Sequence, residues 1–379
     1  MTSPLVAVLI DTLRLGPGAD SALTARWKAA DLTGLAELVE YEGAAIWLFR
    51  RLRSLGILAS LPPDVTEKMR TLAFEATAIR MQVEAEGVTA IGVLADAGVP
   101  VIAIKGIARC ILAPRYRYLD ARITSDVDLL VPQARLDDAE RCLRAVGYAE
   151  AAVRWKPVDR HHHRPPLTRG TVTVELHDST SVHLLAGVAW SRANDRSESV
   201  EWGGGGRMVR VPHPTELVWS AIAHGIEDDT FGFRLKRFLE VAALAGENAP
   251  VDWTVIEHRL ADSREHDPSI PDVERRNHLR AWLDAAMWFV APERRPPRFA
   301  EPGFDIPALL QWRHRLLIPR RWLGGRLRAH LLEEGARVLI GMDLQPSPPT
   351  ASPAARMRRA AGNEASRAMF QVWRLVAGG

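Results

Sequence analysis

The segment ITSDVDLLVP (123–132) constrains the fold of this chain most strongly, because it places two acidic residues within an otherwise apolar strand. Side chains alternate between the two faces of a strand, so Asp126 and Asp128 share one face and Val127 lies on the other. Two carboxylates on one face repel each other and lower the β propensity of the segment. The pattern therefore predicts a largely buried strand whose acidic face holds cations; two acidic side chains that face solvent are the alternative.

A second apolar strand carries a third carboxylate. In TVTVELHDS (171–179), Glu175 alternates with Val174 and Leu176, and His177 falls on the same face as Glu175. If this strand lies beside the first, three carboxylates converge, and such an oxygen-rich site favours magnesium or manganese over zinc. His177 could orient a carboxylate or contact a substrate, and a purely structural histidine fits the pattern equally well.

A third segment, VPVIAIKG (99–106), is a short apolar run that ends in Lys105 and Gly106, which predicts a buried strand leading into a turn. A glycine at such a turn allows backbone N–H groups to approach an anion closely. Lys105 would supply a positive charge to a phosphate. Lysine–glycine turns after strands are common, so this segment alone does not establish a phosphate site.

The order of the elements predicts an α+β fold, with a small mixed-sheet core flanked by N-terminal and C-terminal helical regions. Apolar residues recur at helical spacing in residues 1–97. Residues 98–212 follow the order β-α-β-α-β-β, in which AAVRWKPV (151–158) is one of the strands. Residues 213–379 return to helical spacing, and the glycine run at 203–206 predicts a hairpin or flexible turn before them.

The composition excludes several classes of protein. No stretch reaches the roughly 20 apolar residues of a membrane span, and Cys110 and Cys142 cannot build a disulfide framework, so a soluble, cytoplasmic protein is expected. The net charge is only +3, and nearly all basic residues are arginine, which a genomic preference explains. Arginine runs such as 313–321 permit an RNA-directed enzyme without favouring one, so neither nucleic acid nor a membrane is expected as a partner.

Together these segments resemble the polymerase-β-like nucleotidyltransferase superfamily: an apolar strand ending in Lys-Gly, then apolar–Asp–apolar–Asp, then apolar–Glu–apolar. More closely, VIAIKGIARCILAPRYRYLDARITSDVDLLVP, GTVTVELH and HPTELVWSAIAHG resemble an uncharacterised bacterial nucleotidyltransferase family, some of whose members lie beside lasso-peptide biosynthesis enzymes. The resemblance covers residues 99–245. The chain departs from many relatives of the superfamily in its Lys-Gly turn, where Gly-Ser or Gly-Gly is usual, and in the longer segment between Gly106 and Asp126.

This resemblance implies a magnesium- or manganese-dependent enzyme that transfers a nucleoside monophosphate from a nucleoside triphosphate and releases pyrophosphate. The acceptor would be a hydroxyl or phosphate group on a small molecule, a peptide or a protein, with a modified peptide as one candidate. The implied catalytic and metal-binding residues are Asp126, Asp128 and Glu175. An inactive member of the fold, which binds a nucleotide or a partner without turnover, is the alternative.

The resemblance also implies further contacts to the nucleotide and the acceptor. The expected nucleotide-binding residues are Lys105, Gly106, Ser125, His224, Lys236 and Arg237. For the two basic residues of the C-terminal region, solvated charges opposite an apolar stripe are the alternative. His177 and His163 are candidates for substrate contact. His163 ends a run of three histidines, and consecutive residues rarely converge on one ion, so a zinc site is not expected there. A loop that reaches the acceptor or the phosphates is the functional interpretation of this run.

Overall fold

A mixed sheet surrounded by helices forms the centre of the chain, which confirms the α+β class expected from the sequence. The computed structural model describes residues 4–14, 21–122, 124–151, 163–180, 186–204, 206–227, 234–246, 249–261, 272–290 and 306–317. None of the helices within these ranges is both long and apolar enough to cross a bilayer. The expected cytoplasmic location stays a prediction.

Seven short strands of the described ranges form the sheet, and their order in space differs from their order along the chain. They are β1 (Ile102–Ala103), β2 (Asp126–Leu130), β3 (Ala149–Glu150), β4 (Leu167–Arg169), β5 (Val172–His177), β6 (Ser197–Glu201) and β7 (Met208–Pro212). The spatial order is β3-β4-β5-β2-β1-β7-β6. β2 is parallel to β5 and β1 is parallel to β7, whereas the other neighbours are antiparallel. The two strands that carry the acidic residues are therefore adjacent in the middle of the sheet.

Helices precede, interrupt and follow the sheet. Those before it are α1 (Pro4–Leu13), α2 (Ser21–Ala29), α3 (Leu35–Tyr41), α4 (Ala45–Ser54) and α5 (Pro63–Asp96). Those between strands are α6 (Lys105–Leu112), α7 (Leu136–Ala145) and α8 (Ala186–Asp195). Those after it are α9 (Pro214–Glu227), α10 (Leu235–Gly246), α11 (Trp253–Ala261), α12 (Asp272–Met287) and α13 (Ile306–Leu317). Helical segments therefore precede and follow the sheet-forming segment along the chain. The predicted limits of the three regions, 1–97, 98–212 and 213–379, stay predictions.

The two faces of β2 have different surroundings. Val127 and Leu129 are fully buried in the main apolar core, and α5 packs against both β2 and β5. On the opposite face, Leu130 clusters with Ala193 and Trp190 of α8. Because alternate residues of a strand share a face, α8 covers one end of the face that carries the two aspartates.

Glu42, immediately after α3, fixes the start of α10. Its carboxylate accepts a hydrogen bond from the backbone N–H of Leu235 at 2.8 Å, and its backbone carbonyl accepts one from Lys236 at 3.0 Å. The first N–H groups of a helix have no partner within that helix, so the fully buried Glu42 supplies one from outside. This contact joins the N-terminal helices to α10.

The sheet is larger than the sequence patterns predict. The predicted elements do not include β4, β6, β7 or α8. β4 spans only three residues and β6, SESVE, lacks an apolar run, whereas β7, MVRVP, has an alternating apolar pattern that the predicted order leaves out. The candidate strand AAVRWKPV lies outside the described residues except for Ala151. The glycine run is confirmed as a hairpin turn, since Gly203, Gly204 and Gly206 have positive φ angles between the antiparallel strands β6 and β7.

Candidate functional site

Three carboxylates lie on one face of the sheet. Glu175 is directly opposite Asp128 in the parallel pairing of β5 with β2, and Thr173 is opposite Asp126. Residues in register on neighbouring strands point to the same face. The expected placement of Glu175 beside the aspartates is therefore observed, and this surface is called the acidic face below.

Asp128 is the most enclosed of the three carboxylates, with 2% of its surface exposed. Its Oδ1 atom accepts hydrogen bonds from Nζ of Lys105 and from Nε2 of His177, each at 2.9 Å. Nε2 of His177 also lies 3.4 Å from Oε2 of Glu175, so one imidazole joins the two carboxylates. An ionised carboxylate can only accept hydrogen bonds, which places a hydrogen of His177 on Nε2.

Asp126 has a different electrostatic environment. Burial raises the pKa of this carboxyl to about 6, and the negative charges of Asp128 and Glu175 act in the same direction. Lys105 and Arg122 oppose this effect without cancelling it. Like charges that share a site disfavour ionisation, so Asp126 is the carboxylate of this face that a bound cation would relieve most.

Lys105 and Asp128 form an ion pair that stays ionised in the protein interior. Burial acts to raise the pKa of Asp128, but Lys105 and His177 outweigh it and hold this pKa well below its usual range. Burial acts to lower the pKa of Lys105, but the charge and hydrogen bond of Asp128, together with the charges of Glu175 and Asp126, outweigh it and the pKa is raised. Burial acts to raise the pKa of Glu175, but the hydrogen bond and charge of His177, together with the charge of Lys105, outweigh it and the pKa is lowered.

The turn between β1 and α6 lies beside these carboxylates. Lys105 begins α6 with a φ angle of 50°, in the left-handed region that few side chains adopt. A Cβ atom on Gly106 would lie 2.6 Å from Cγ2 of Thr124 and 2.8 Å from Nη1 of Arg122. Only glycine therefore allows Thr124 and Arg122 to lie so close to the turn. The turn expected from the Lys-Gly pair is present, and Arg122 is an additional cation beside it.

The donor atoms of the acidic face fit a divalent cation. Carboxylate oxygens of Asp128 and Glu175 and a ring nitrogen of His177 lie within 4.8 Å of one another. This group contains His177 in place of Asp126, which lies on the same face at the start of β2. Because carboxylate oxygens predominate across the three acidic residues, the donor set suits magnesium or manganese.

Two further predicted residues lie at the acidic face. Ser125 is exposed, and its Oγ atom lies 3.5 Å from Oδ1 of Asp126. His163 pairs across from His177, with the two ring centres 5.0 Å apart and its Nδ1 atom 3.9 Å from Oε2 of Glu175. The other two histidines of the run lie outside the described residues. Both residues lie close to the carboxylates, while their contacts to phosphate and substrate stay predictions.

The three residues expected from the C-terminal helices occupy different surroundings. His224 lies in α9, and its side chain is outside the described residues. The side chain of Lys236 packs closely on Gly43. A Cβ atom added to Gly43 would lie 2.9 Å from Cδ of Lys236. Arg237 is buried, and its charge acts on the buried Arg109. Nucleotide contacts by these three residues stay predictions.

The sequence gives no signal for a buried charge cluster behind the turn. Glu240 of α10 forms ion pairs with Arg109 of α6 and with Arg122, whose Nε atom lies 3.1 Å from Oε2 of Glu240. Burial lowers the pKa of Arg109, and the charges of Arg122 and Arg237 lower it further. These residues are distant in the sequence and come from elements with unrelated patterns, so only the folded chain reveals the cluster.

The mixed sheet, its acidic face and the adjacent Lys-Gly turn are consistent with the α+β class of nucleotidyltransferase folds. A family described as uncharacterised nucleotidyltransferase matches residues 28–268, and the chain belongs to this family. Membership supports nucleotidyl transfer as the general activity. Comparison with curated proteins found no match, and neither did comparison with solved structures.

Proposed function

We propose that this protein is a magnesium- or manganese-dependent nucleotidyltransferase that moves a nucleoside monophosphate from a nucleoside triphosphate to an acceptor hydroxyl or phosphate. The observation that carries this proposal is the register of β2 and β5, in which Asp128 faces Glu175 on the face that also holds Asp126. Family membership supports the reaction class. Metal-ion identity, substrate and residue roles are part of the proposal.

Asp126, Asp128 and Glu175 are proposed to hold the divalent ions. Such ions, when bound, neutralise the charge of the triphosphate and of the phosphoryl group in transfer. Asp128 and Glu175 are ionised at neutral pH, because their pKa values are lowered in the folded chain. His177 would keep these two carboxylates in position through its contacts to both of them.

The transfer forms a bond between the acceptor oxygen and the α-phosphorus and breaks the bond from that phosphorus to the β-phosphate bridge. Pyrophosphate leaves. We propose that Glu175 accepts the proton of an acceptor hydroxyl, because its carboxylate is ionised and is less enclosed than that of Asp128. His163, 3.9 Å from Glu175, is placed to contact the acceptor.

The Lys105–Gly106 turn and Ser125 are proposed to bind phosphate oxygens. Lys105 carries a positive charge beside the acidic face, Gly106 lies in the first turn of α6, and Ser125 offers an exposed hydroxyl. The acceptor would be a group on a small molecule, a peptide or a protein. A modified peptide is one candidate, which rests on the resemblance of residues 99–245 to proteins found beside lasso-peptide enzymes.

One contact favours a second candidate function. Lys105 already gives Asp128 a positive counter-charge at 2.9 Å, as it would in a protein that binds a nucleotide or a partner without turnover. The two candidates differ in a direct assay. Incubation with each of the radiolabelled triphosphates and magnesium should release labelled pyrophosphate for an enzyme, with self-modification or transfer to an added acceptor.

Asp126→Asn is the matched variant for this assay, because it removes one charge of the acidic face and leaves the ion pair of Lys105 with Asp128 intact. The proposal expects the wild-type chain to release pyrophosphate and the variant to lose most of that release. Triphosphate binding with no release across a broad set of acceptors would instead support the non-catalytic candidate.

A further inference from the structure

Arg122 is the most accessible member of the buried charge cluster behind the Lys105–Gly106 turn. Its side chain keeps 14% of its surface exposed, against 4% for Arg109 and 1% for Glu240. Two guanidinium groups share one carboxylate, so the cluster of Arg109, Arg122 and Glu240 carries a formal excess of one positive charge. Of the three side chains, that of Arg122 is therefore the one that a ligand at the surface can reach.

The position of Arg122 is fixed from two sides. Its Nε atom lies 3.1 Å from Oε2 of Glu240. Its Nη1 atom reaches over the turn, only 2.8 Å from where a Cβ atom of Gly106 would lie. A guanidinium group has several N–H donors in a fixed plane, which suits it to hold a carboxylate with one edge and a phosphate with another.

A triphosphate bound at the acidic face needs positive charge close to its phosphate groups. Among the described residues, the lysine that lies beside the carboxylates of this face is Lys105, and it is already paired with Asp128. A triphosphate is itself strongly anionic, so its tail must meet positive charge that the carboxylates do not already engage. The side chain of Arg122 lies at the start of α6 beside Lys105, because its Nη1 atom is the near neighbour of Gly106.

We propose that Arg122, held over the Lys105–Gly106 turn by Glu240, binds the triphosphate tail of the nucleotide substrate. This inference rests on the proposed function and deepens it, because it assigns a phosphate-binding residue that the sequence does not indicate. A bidentate guanidinium contact is stronger than a neutral hydrogen bond, so loss of Arg122 should weaken triphosphate binding. A monophosphate lacks the tail that Arg122 would contact, so its affinity should not change.

The test is nucleotide binding by calorimetry with magnesium, using the triphosphate that the wild-type chain binds most tightly and the corresponding monophosphate. Arg122→Ala should raise the dissociation constant of the triphosphate by about tenfold or more and leave that of the monophosphate nearly unchanged. Arg122→Lys keeps a charge opposite Glu240 and should give an intermediate increase. Arg117→Ala, which removes an exposed arginine of the same segment, should change neither constant.

The inference would be overturned if Arg122→Ala and Arg122→Lys both bound the triphosphate as tightly as the wild-type chain does. An equal weakening for triphosphate and monophosphate would also overturn it, and so would a wild-type chain that binds none of the four triphosphates. Failure of the proposed catalytic function has a different signature. In that case triphosphate binding depends on Arg122 while the wild-type chain releases no pyrophosphate.

Discussion

The ammonium group of Lys105 lies 2.9 Å from Oδ1 of Asp128, so the most buried carboxylate of the acidic face has its counter-charge built into the chain. Asp126, two residues earlier on the same strand, has two carboxylates among its nearest charges instead. The two aspartates therefore contribute to stability with opposite signs, although their proposed role in catalysis is the same.

Asp128→Asn should destabilise the fold, whereas Asp126→Asn should not. The first change leaves Lys105 buried without its partner, and breaking a buried ion pair costs about 3 kcal/mol. At neutral pH the ionised Asp126 lowers stability, because its pKa of about 6 in the folded chain exceeds the ordinary value of 3.8. Denaturant unfolding of both variants at neutral pH without divalent ions measures the difference. Equal destabilisation by the two changes would contradict this account.

His177→Gln should weaken divalent-ion binding. His177 contacts both Asp128 and Glu175, and loss of such a contact to ligating groups lowers metal affinity by about 10- to 100-fold. Titration with Mn²⁺, followed by electron paramagnetic resonance, reports this affinity without any turnover. His258→Gln, at an exposed position of α11, is the control and should bind Mn²⁺ as the wild-type chain does. Unchanged affinity of His177→Gln would leave the imidazole with a structural role alone.

Gly106→Ala should destabilise the chain by about 1–3 kcal/mol, the usual range for an added methyl group in a packed site. The new Cβ atom would lie 2.6 Å from Thr124 and 2.8 Å from Arg122, so one of them must move. Denaturant unfolding checks the loss. Gly187→Ala in α8 adds the same methyl group where no atom lies within 4 Å, and its stability should be unchanged or slightly higher. If Gly106→Ala had the same unfolding midpoint as the wild-type chain, the turn would accommodate the added methyl group without a loss of stability.

Cys110 should resist alkylation in the folded chain, and Cys142 should react. Both cysteines are free, but burial raises the pKa of the Cys110 thiol to about 12, so it stays a poorly nucleophilic thiol at mildly alkaline pH. Iodoacetamide labelling followed by peptide mass spectrometry distinguishes the two, with the denatured chain as control. Comparable labelling of both residues in the folded chain would show that Cys110 is accessible.

The same shift predicts how stability depends on pH at the alkaline end. Between the ordinary value of 9.0 and about 12, the Cys110 thiol keeps its proton in the folded chain and loses it in the unfolded chain. The unfolded chain then binds fewer protons, so this group's contribution to stability falls as pH rises through that interval. Cys110→Ser should flatten the dependence in denaturant unfolding measured across the interval.

The acidic face was predictable because alternation in a strand is a local property. Residues 126 and 128 must share a face of β2, and residues 175 and 177 must share a face of β5, whatever surrounds the strands. Their meeting is not local. It depends on a register between β2 and β5 that backbone hydrogen bonds set across the sheet, and here the register pairs Asp128 with Glu175.

Some of the elements and contacts that the sequence does not indicate lie in short or polar segments. β6 is half-buried and reads SESVE, so it has no apolar pattern to distinguish it from a loop. The ion pair of Arg122 with Glu240 joins a loop residue to a helix far along the chain, and a charged residue in either place is more simply read as solvated. Tertiary packing alone decides that Glu240 is buried and that Arg122 is largely enclosed.

Glu42 links the N-terminal helices to the site, although it is distant in the sequence. It caps the first turn of α10 at Leu235, and α10 carries Glu240, which holds Arg122. A fragment that contained only the strands would keep the acidic side chains of the sheet. It would lose Glu240 and with it the ion pair that holds Arg122. Any shortened version of this protein meant to keep that arginine in place would have to include both Glu42 and Glu240, together with the helices α3 and α10.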